Sequence, residues 1–212
     1  MGKPNKGKTD RAYFREAYQT GVHGWPTVEP SPYVVRFLRR VYGSDATGYA
    51  LDLGCGEGRH ARFAADLGFH VVGVDFEASA VRRAIAFSQD RAREGLHFVV
   101  ADVLHLPFHG APFEVVIDYG CLHHQRKRNW PLYLHSVLHC LKPRGVFLLS
   151  VFSPKFRMFC NRRRQWHVVG GAYRRCFTRE QVEQLFGATF SILETVEDDE
   201  IGFWHFLMRR RY

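Results

Sequence analysis

The sequence predicts a doubly wound α/β fold, in which a seven-stranded and mostly parallel sheet carries a C-terminal antiparallel hairpin. Short apolar runs alternate along the chain with helical patterns, and most of these runs are apolar throughout. Continuous apolar strands are typical of a parallel sheet that helices cover on both faces. The last two strand-like runs are separated only by an acidic turn, Glu197 to Glu200, so we expect them to pair antiparallel.

The first elements lie ahead of the sheet. A short helix is expected over residues 11–19, and glycines and prolines mark residues 21–32 as a loop. Ser31 caps an amphipathic helix that is expected over residues 33–42.

The predicted core alternates strands with helices. Its strands are expected over residues 49–54, 70–74, 97–100, 114–118 and 145–152. Its helices are expected over residues 58–67, 78–93 and 130–141. Thr178 and Gln181 form a capping box that begins a helix over 179–186, and the runs 189–196 and 202–208 form the final hairpin.

The composition indicates one folded, soluble domain. Of the 212 residues, 46% are hydrophobic and 24% are charged, which excludes disordered, fibrous and collagen-like classes. No apolar run reaches the roughly 18 residues that cross a bilayer, and the start is polar and basic, so we expect no membrane segment and no secretion. The five cysteines form no CxxC pair, which favours a reducing, cytoplasmic location.

We expect residues 1–10 to be a flexible basic tail and residues 11–212 to be a single domain. Its parts are the N-terminal helices (11–43), a ligand-binding core (48–152), a basic insertion (153–178) and the final helix and hairpin (179–212). The stretch from Lys155 to Arg179 contains eight positive residues and no acid. Such a run is either a solvated face or a surface that attracts an anionic partner.

The segment LDLGCGEG, Leu51 to Gly58, lies where the first core strand meets its helix. Its glycines at 54, 56 and 58 permit a tight turn and a close approach of the backbone to a ligand. The dinucleotide pattern GxGxxG needs glycine where this chain has Arg59, and no Gly-Lys-Ser/Thr follows for a Walker loop. The loop therefore belongs to another class of nucleotide-binding turn.

Carboxylates beside this loop indicate a ligand that bears positive charge. Asp52 and Glu57 would repel a pyrophosphate but suit S-adenosylmethionine, which carries an ammonium and a sulfonium group. Asp75 ends the second strand, where an acid can accept hydrogen bonds from ribose hydroxyls, and Asp102 follows the third strand, where it can take an adenine amino group. Open α/β sheets bind ligands at this edge.

The chain resembles the class I S-adenosylmethionine-dependent methyltransferases over residues 48–152, through LDLGCGEG, VVGVDFE, VVADVLHLPF, FEVVIDYGCLHH and LKPRGVFLLSVF in this order. The resemblance implies a Rossmann-like methyltransferase fold and S-adenosyl-L-methionine as the cofactor. It places Asp52 at the methionine end, Asp75 at the ribose and Asp102 at the adenine. The residues that it implies at the cofactor are Asp52, Gly54, Gly56, Asp75, Phe76, Asp102, Val103 and Asp118.

The segment TGVHGWPTVEPSPYVVRFL, residues 20–38, is similar to the entry of thiopurine-type and tellurite-resistance-type small-molecule methyltransferases. DYGCLHH, residues 118–124, is similar to the DxGxxHH segment of that branch. There the N-terminal segment forms part of a lid, which implies this role for Tyr18, His23 and Trp25, with Trp25 at the cofactor. The predicted substrate side consists of Tyr18, His124 and Arg162.

His123 and His124 follow the fourth strand, where each is either a catalytic base or substrate contact, or a hydrogen-bonded loop histidine. His123 is the first candidate for a general base. His135 and His139 are spaced i, i+4 on a helix, but they lack an HExxH pattern and a third ligand, so no metal site is expected. Cys121 lacks the Pro-Cys context of base-methylating enzymes and is expected to pack as a small residue.

These observations predict methyl transfer from S-adenosylmethionine to a small-molecule acceptor, with an anionic or soft sulfur, selenium or metalloid nucleophile as the narrower class. An RNA or protein methyltransferase that uses residues 155–179 is the alternative, because aromatic and basic residues interleave there. A cofactor-binding module without catalysis is a third hypothesis. The sequence leaves the acceptor atom and the oligomeric state open.

Overall fold

The computed structural model describes residues 10–89, 95–110, 112–160 and 163–212. Of the predicted tail only Asp10 lies within these ranges, and it begins the first helix. The α-helices are α1 (Asp10–Thr20), α2 (Pro32–Tyr42), α3 (Arg59–Asp66), α4 (Ala78–Ala86), α5 (Trp130–Cys140) and α6 (Arg179–Phe186). The strands are β1 (Tyr49–Leu53), β2 (His70–Asp75), β3 (Leu96–Val100), β4 (Phe113–Tyr119), β5 (Leu141–Phe152), β6 (Trp166–Val169), β7 (Ala172–Arg175), β8 (Phe190–Asp198) and β9 (Phe203–Arg210).

The main sheet has seven strands in the order β3-β2-β1-β4-β5-β9-β8. The first five of these pair in parallel, whereas β9 runs antiparallel to both β5 and β8. The predicted sheet and its C-terminal hairpin are therefore confirmed. The chain leaves β1 toward β2 on one side and later returns to β4 on the other, so a crevice opens where the carboxyl ends of β1 and β4 diverge, the usual ligand position in open α/β sheets.

Two hydrophobic clusters cover the two faces of the sheet, and β5 contributes to both. Phe147 and Leu149 belong to the cluster that includes residues of α5 and α6, whereas Val146 and Leu148 belong to the cluster that includes residues of α2 and α3. Successive side chains of a strand point to opposite faces. Because both faces are covered, the run is apolar at every position, which is the pattern from which the sheet was predicted.

A second, two-stranded sheet is formed by β6 and β7, which pair antiparallel within the basic insertion. This hairpin was not predicted from the sequence. Gly170 and Gly171 join its strands with φ of 61° and 98°. Two adjacent glycines between strand-like runs are a signal for a tight hairpin turn, because both residues can adopt positive φ without strain.

Helix α4 is shorter than predicted. It ends at Ala86, with Phe87 as its C-cap, instead of continuing to residue 93. Residues 87–89 form a turn, and residues 90–94 lie outside the described part of the chain. The capping box of α6 is confirmed, because the Thr178 side chain accepts from the Gln181 amide and the Gln181 side chain accepts from the Thr178 amide.

Candidate active site

Three predicted carboxylates meet at the crevice. Asp52 lies within β1, Asp75 ends β2 and Asp118 lies near the end of β4, and each is at most 4% exposed. Asp102 follows β3 and is half-buried. The parallel strands thus bring acids that are far apart in sequence to one edge of the sheet.

The glycine loop between β1 and α3 runs in the left-handed region. Gly54, Gly56 and Gly58 have φ of 63°, 55° and 78°. A Cβ on Gly54 would lie 2.9 Å from Cβ of Cys121, and a Cβ on Gly56 would lie 2.8 Å from the hydroxyl of Tyr18. Both positions therefore require glycine for their conformation and for the close approach of a neighbour. Tyr18 and Cys121 form the two sides of this cradle.

Asp75 shapes the loop as well as facing the crevice. Its carboxylate accepts from the amide of Gly56 at 3.0 Å and from the amide of Glu77 at 2.9 Å. Burial raises the pKa of Asp75 to about 6, although these amide hydrogen bonds lower it. Burial likewise raises the pKa of Asp52 to about 7, with the Ala61 amide donating to Asp52 at 3.1 Å and lowering that pKa. A cationic ligand would favour the ionised form of both groups.

Asp118 is held by the chain itself. Its two oxygens accept from the amide of Cys121 at 2.7 Å and the amide of Leu122 at 2.9 Å, and from the hydroxyl of Tyr133. Burial raises its pKa to about 6. These contacts fix the turn after β4, so Asp118 stabilises the loop that carries Cys121 and the two histidines.

The charge of Glu57 is balanced by an arginine of the same chain. It forms an ion pair with Arg83, and its second oxygen lies 3.3 Å from Nε2 of His23. The sequence suggested Glu57 as one of the acids that attract a cationic ligand. Because Arg83 already balances its charge, Glu57 instead connects the glycine loop to α4 and to the segment around His23.

Helix α1 covers the part of the crevice that lies beyond the ends of β2 and β3. Arg11 lies over the ring of Phe76 at 5.5 Å and 3.8 Å from Asp102, and Phe14 packs edge-on against Phe76 at 5.6 Å. Val103 is buried beside Asp102. The predicted residues Phe76, Asp102 and Val103 are therefore brought to one region, and Phe14 is a neighbour that the sequence analysis missed.

The segment after α1 packs three aromatic rings over the glycine loop. His23 stacks on Trp25 at 4.2 Å, and Tyr18 lies edge-on to both rings at 5.7 Å and 5.5 Å. Arg62 donates to the carbonyl of Thr27, and Arg59 donates to the carbonyl of Glu29. These arginines on α3 anchor the loop, so Tyr18, His23 and Trp25 occupy the place predicted for a lid.

The residues fit S-adenosylmethionine on three observations. The glycine cradle excludes side chains, and buried carboxylates line its edge. In addition, the buried Nε1 of Trp25 has no hydrogen-bond partner among the described residues. A buried donor without a partner is costly, which indicates that a ligand oxygen or nitrogen would satisfy it.

His123 is a buried, uncharged histidine. Its ring stacks on Phe152 at 3.7 Å, and its Nδ1 accepts from the amide of Phe152 at 3.3 Å. Burial lowers the pKa of His123 well below its usual range. Because Nδ1 accepts a hydrogen bond, the ring proton resides on Nε2.

His124 has the opposite arrangement. Its Nδ1 lies 2.7 Å from the carbonyl oxygen of Tyr173 on β7, and its ring contacts Phe14 edge-on at 5.0 Å. Burial lowers the pKa of His124 to about 4, the hydrogen bond to Tyr173 raises it and Arg174 lowers it. Both predicted histidines thus lie at the crevice, and both are uncharged but in different tautomers.

The β6–β7 hairpin and α1 are joined over the histidines. The amide of Tyr173 donates to Asp10 at 2.5 Å, and Arg174 donates to the hydroxyl of Tyr13 at 2.7 Å while lying over its ring. The pairing of Asp10 and Tyr13 with this hairpin was not predicted, because contacts over such sequence distances have no local signal. The predicted Arg162 lies outside the described residues.

In residues 10–89, 95–110, 112–160 and 163–212, no three His, Cys, Asp or Glu side chains are grouped so that they could hold a metal ion. No helix in the described part of the chain is long and apolar enough to cross a membrane.

Comparison with known proteins decides the family. A family model described as a methyltransferase domain matches residues 50–145. An uncharacterized methyltransferase of Schizosaccharomyces pombe is 31% identical over 116 residues, which are 55% of this chain and 77% of that protein. The chain belongs to this methyltransferase family. S-adenosyl-L-methionine is the cofactor, and the prediction of a methyltransferase that uses it is confirmed.

Two further similarities concern named methyltransferases. A 2-heptyl-1-hydroxyquinolin-4(1H)-one methyltransferase of Mycobacteroides abscessus is 25% identical over 129 residues, 61% of this chain and 56% of that protein, so the methyltransferase chain spans little more than half of that relative. A second similarity is to the crystal structure of 1,6-didemethyltoxoflavin-N1-methyltransferase from Burkholderia thailandensis, which has 1,6-didemethyltoxoflavin and S-adenosylhomocysteine bound. The two structures align with a TM-score of 0.76 and 22% sequence identity, over 95% of this chain and 87% of that chain. The latter likeness shows the fold. The thiopurine or tellurite branch stays a prediction.

Proposed function

We propose that the protein transfers a methyl group from S-adenosylmethionine to a small molecule that contains a flat aromatic ring. The observation that carries the proposal is the cluster of aromatic side chains around His123 and His124, in the turn that also contacts the glycine loop. Two covering elements, α1 and the β6–β7 hairpin, meet over this site through Asp10 and Tyr173. A covered site of this kind suits a small molecule better than a polynucleotide or a folded protein.

The walls of the site are built for ring stacking. Phe152 stacks on His123 at 3.7 Å and on Phe156 at 4.0 Å, and Phe203 lies edge-on to Phe152 at 4.9 Å. Phe14 adds a further ring next to His124. Aromatic side chains of this density favour a planar ring compound, because offset and edge-on contacts between rings add to apolar burial.

The lysine and arginine side chains in and just after the basic insertion support an anionic acceptor or RNA less than the aromatic residues support a ring compound. Arg174 binds Tyr13, Arg175 donates to Gln165, Lys155 pairs with Glu197 and Asp199, and Arg179 pairs with Glu183. Paired and bonded bases attract a polyanion less than free ones. The aromatic walls therefore decide our choice between the predicted acceptor classes.

The relatives' names agree with a ring acceptor. One relative is named for a hydroxyquinolinone, and one solved structure holds 1,6-didemethyltoxoflavin and is named for transfer to N1. In the cofactor site we assign Asp75 and Asp102 to the ribose and adenine, Asp52 to the methionine end, and Gly54, Gly56 and Trp25 to the cradle. Phe76 and Val103 complete the adenine side.

The test is a methylation assay with S-adenosylmethionine labelled in the methyl group. The acceptors are hydroxyquinolinones, fused nitrogen heterocycles, substituted phenols and thiophenols, inorganic selenite and tellurite, total RNA and a mixed peptide library. We expect label in at least one ring compound. Label only in RNA, peptide or the inorganic anions would refute the proposal.

A variant pair locates the acceptor. Phe14→Ala should raise KM for the ring compound by about 5- to 20-fold, since one aromatic contact is lost. Leu132→Ala, on the exposed side of α5, is the matched control because it removes an apolar side chain that is 46% exposed. Equal effects of the two substitutions would contradict the assigned site.

A further inference from the structure

We propose that Nε2 of His124 accepts the proton that the acceptor loses during methyl transfer, and that Tyr173 and Asp10 hold His124 in the tautomer that this requires. The inference rests on the proposed function and names the proton acceptor at the same site. It also changes the assignment made from the sequence, which took His123 as the first candidate.

The tautomer of His124 follows from its partner. A carbonyl oxygen can only accept, so the 2.7 Å contact with Tyr173 requires a proton on Nδ1 of His124. In the uncharged ring, Nε2 then carries the lone pair. No described residue donates to this nitrogen, so the lone pair is available to an acceptor molecule.

His123 cannot offer a lone pair to an acceptor molecule without losing its hydrogen bond with Phe152. Its Nδ1 lone pair is used by the amide of Phe152, so its Nε2 bears the proton and acts as a donor. Stacking on Phe152 and burial hold the ring in this orientation. The two neighbouring histidines therefore have opposite tautomers, and only His124 presents a free lone pair.

The position of His124 suits the role. The turn after β4 places Cys121 against Gly54 in the cofactor cradle, and His124 follows three residues later in the same turn. The centroid of its ring lies 5.0 Å from that of Phe14 and 6.4 Å from that of Phe152, the two rings that we assign to the acceptor walls. A ring compound held there would lie beside His124.

Asp10 acts through Tyr173. The amide of Tyr173 donates to Oδ1 of Asp10, and Arg126 lies 3.4 Å from Oδ2 of Asp10 and over the Tyr173 ring at 4.9 Å. These contacts hold Tyr173, whose carbonyl accepts from His124. Asp10 is thus a positioning residue: when α1 and the hairpin meet, the base is set in its reactive tautomer.

The charges around His124 support an uncharged ring at neutral pH. Burial lowers its pKa to about 4, and the Arg174 guanidinium on β7 acts in the same direction, whereas the Tyr173 carbonyl and Asp10 oppose it. The preceding residue, His123, is uncharged as well. His124 is therefore uncharged at neutral pH, so its Nε2 carries no proton when the acceptor binds, and a proton that it accepts is returned readily to water.

The cofactor supplies the methyl group, with the electron pair of its carbon–sulfur bond remaining on sulfur. The acceptor's oxygen or nitrogen provides the pair for the new bond to carbon. Its O–H or N–H proton moves to Nε2 of His124, which becomes a cation until water removes the proton. An acceptor that is already ionised, such as a thiophenolate, needs no such step.

The tautomers can be measured without any acceptor. Long-range proton–nitrogen correlation spectra of histidine-labelled protein should show a protonated Nδ1 and a bare Nε2 on His124, and the reverse on His123, at pH 7. Asp10→Ala should populate the second tautomer of His124. A protonated Nε2 on His124 in the wild-type protein would overturn the proposal.

The kinetic test compares two acceptors. In His124→Asn the side-chain amide can still donate to Tyr173 but has no equivalent of Nε2. We expect kcat/KM for a phenol to fall about 100-fold or more, the usual range for a lost general base, and that for a thiophenol ionised at the assay pH to fall less than threefold. Cofactor affinity should be unchanged by calorimetry.

The outcomes separate the two proposals. If wild-type protein binds S-adenosylmethionine but methylates no ring compound, the proposed function fails. If wild-type protein methylates the phenol and His124→Asn does so equally well, only the role of His124 fails. Equal losses with phenol and thiophenol would also refute the role as base, because they would indicate a structural effect.

Discussion

The hydroxyl of Tyr18 lies 2.8 Å from the point that a Cβ on Gly56 would occupy. Helix α1 thus packs directly over the cofactor loop, and the two segments fit only because residue 56 has no side chain. Gly56 also has a φ of 55°, which costs other residues free energy.

Replacement of Gly56 tests this contact. Gly56→Val should abolish binding of S-adenosylmethionine while the circular dichroism spectrum stays that of a folded α/β protein, because the added side chain fills the cradle. Gly24→Ala is the control, since nothing lies within 4 Å of its added Cβ. Retained binding in Gly56→Val would show that the cofactor lies elsewhere.

Asp75 is expected to carry much of the cofactor affinity. Asp75→Ala should weaken binding of S-adenosylmethionine by about 1.5–3 kcal/mol, because charge-assisted hydrogen bonds to the ribose are lost. Asp45→Asn, an exposed acid ahead of β1, should leave the affinity unchanged. Calorimetry compares the two, and an undiminished affinity in Asp75→Ala would exclude this residue from the site.

Asp52 should make the ligand-free protein less stable as pH rises. Its pKa is about 7 in the fold, above the usual value of 3.8, so the folded state binds more protons than the unfolded state between these values. Unfolding free energy from this group therefore falls from about pH 4 to pH 7.

Asp52→Asn removes this effect and can still accept from the Ala61 amide. The variant should melt above wild type at pH 8, with the difference vanishing near pH 4. Added S-adenosylmethionine should raise Tm more in wild type than in the variant, since the cation stabilises the ionised acid. An unchanged difference between pH 4 and pH 8 would mean that Asp52 is not a desolvated acid.

The exposed arginines ahead of β6 test the alternative acceptor class. Arg164 lies over the ring of Trp166, which is 41% exposed. Arg163→Gln with Arg164→Gln should leave both cofactor affinity and turnover of a ring compound within twofold. Steeply salt-dependent RNA binding in wild type that this double variant loses would favour the nucleic-acid function instead.

Much of the fold could be predicted, because its signals are local. Continuous apolar runs such as VFLLSV in β5 reveal a strand covered on both faces, and a capping box reveals the start of α6. The β6–β7 hairpin was missed although Gly170 and Gly171 mark its turn. Its strands are only four residues long, and neither has the longer apolar run on which most of the other strands were predicted.

The convergence of the acids of β1, β2 and β4 could be predicted from the sequence, but their hydrogen-bond partners could not. Strand order explains why Asp52, Asp75 and Asp118 converge, but the engagement of Asp118 by Tyr133 depends on a helix that packs from another part of the chain. The sequence gives no means of telling the roles of the adjacent histidines His123 and His124 apart. Their tautomers differ because one contacts a donor on β5 and the other contacts a carbonyl on β7.

The junction of α1 with the β6–β7 hairpin has a consequence for turnover. Asp10 belongs to the helix over the cofactor loop, and Tyr173 belongs to the hairpin over the acceptor walls. Because one hydrogen bond joins these two elements, we expect α1 and the β6–β7 hairpin to open and close together. S-adenosylmethionine and the acceptor would then enter and leave in the same opening event. At saturating concentrations of both, the rate of that opening, not the chemical step, would limit kcat.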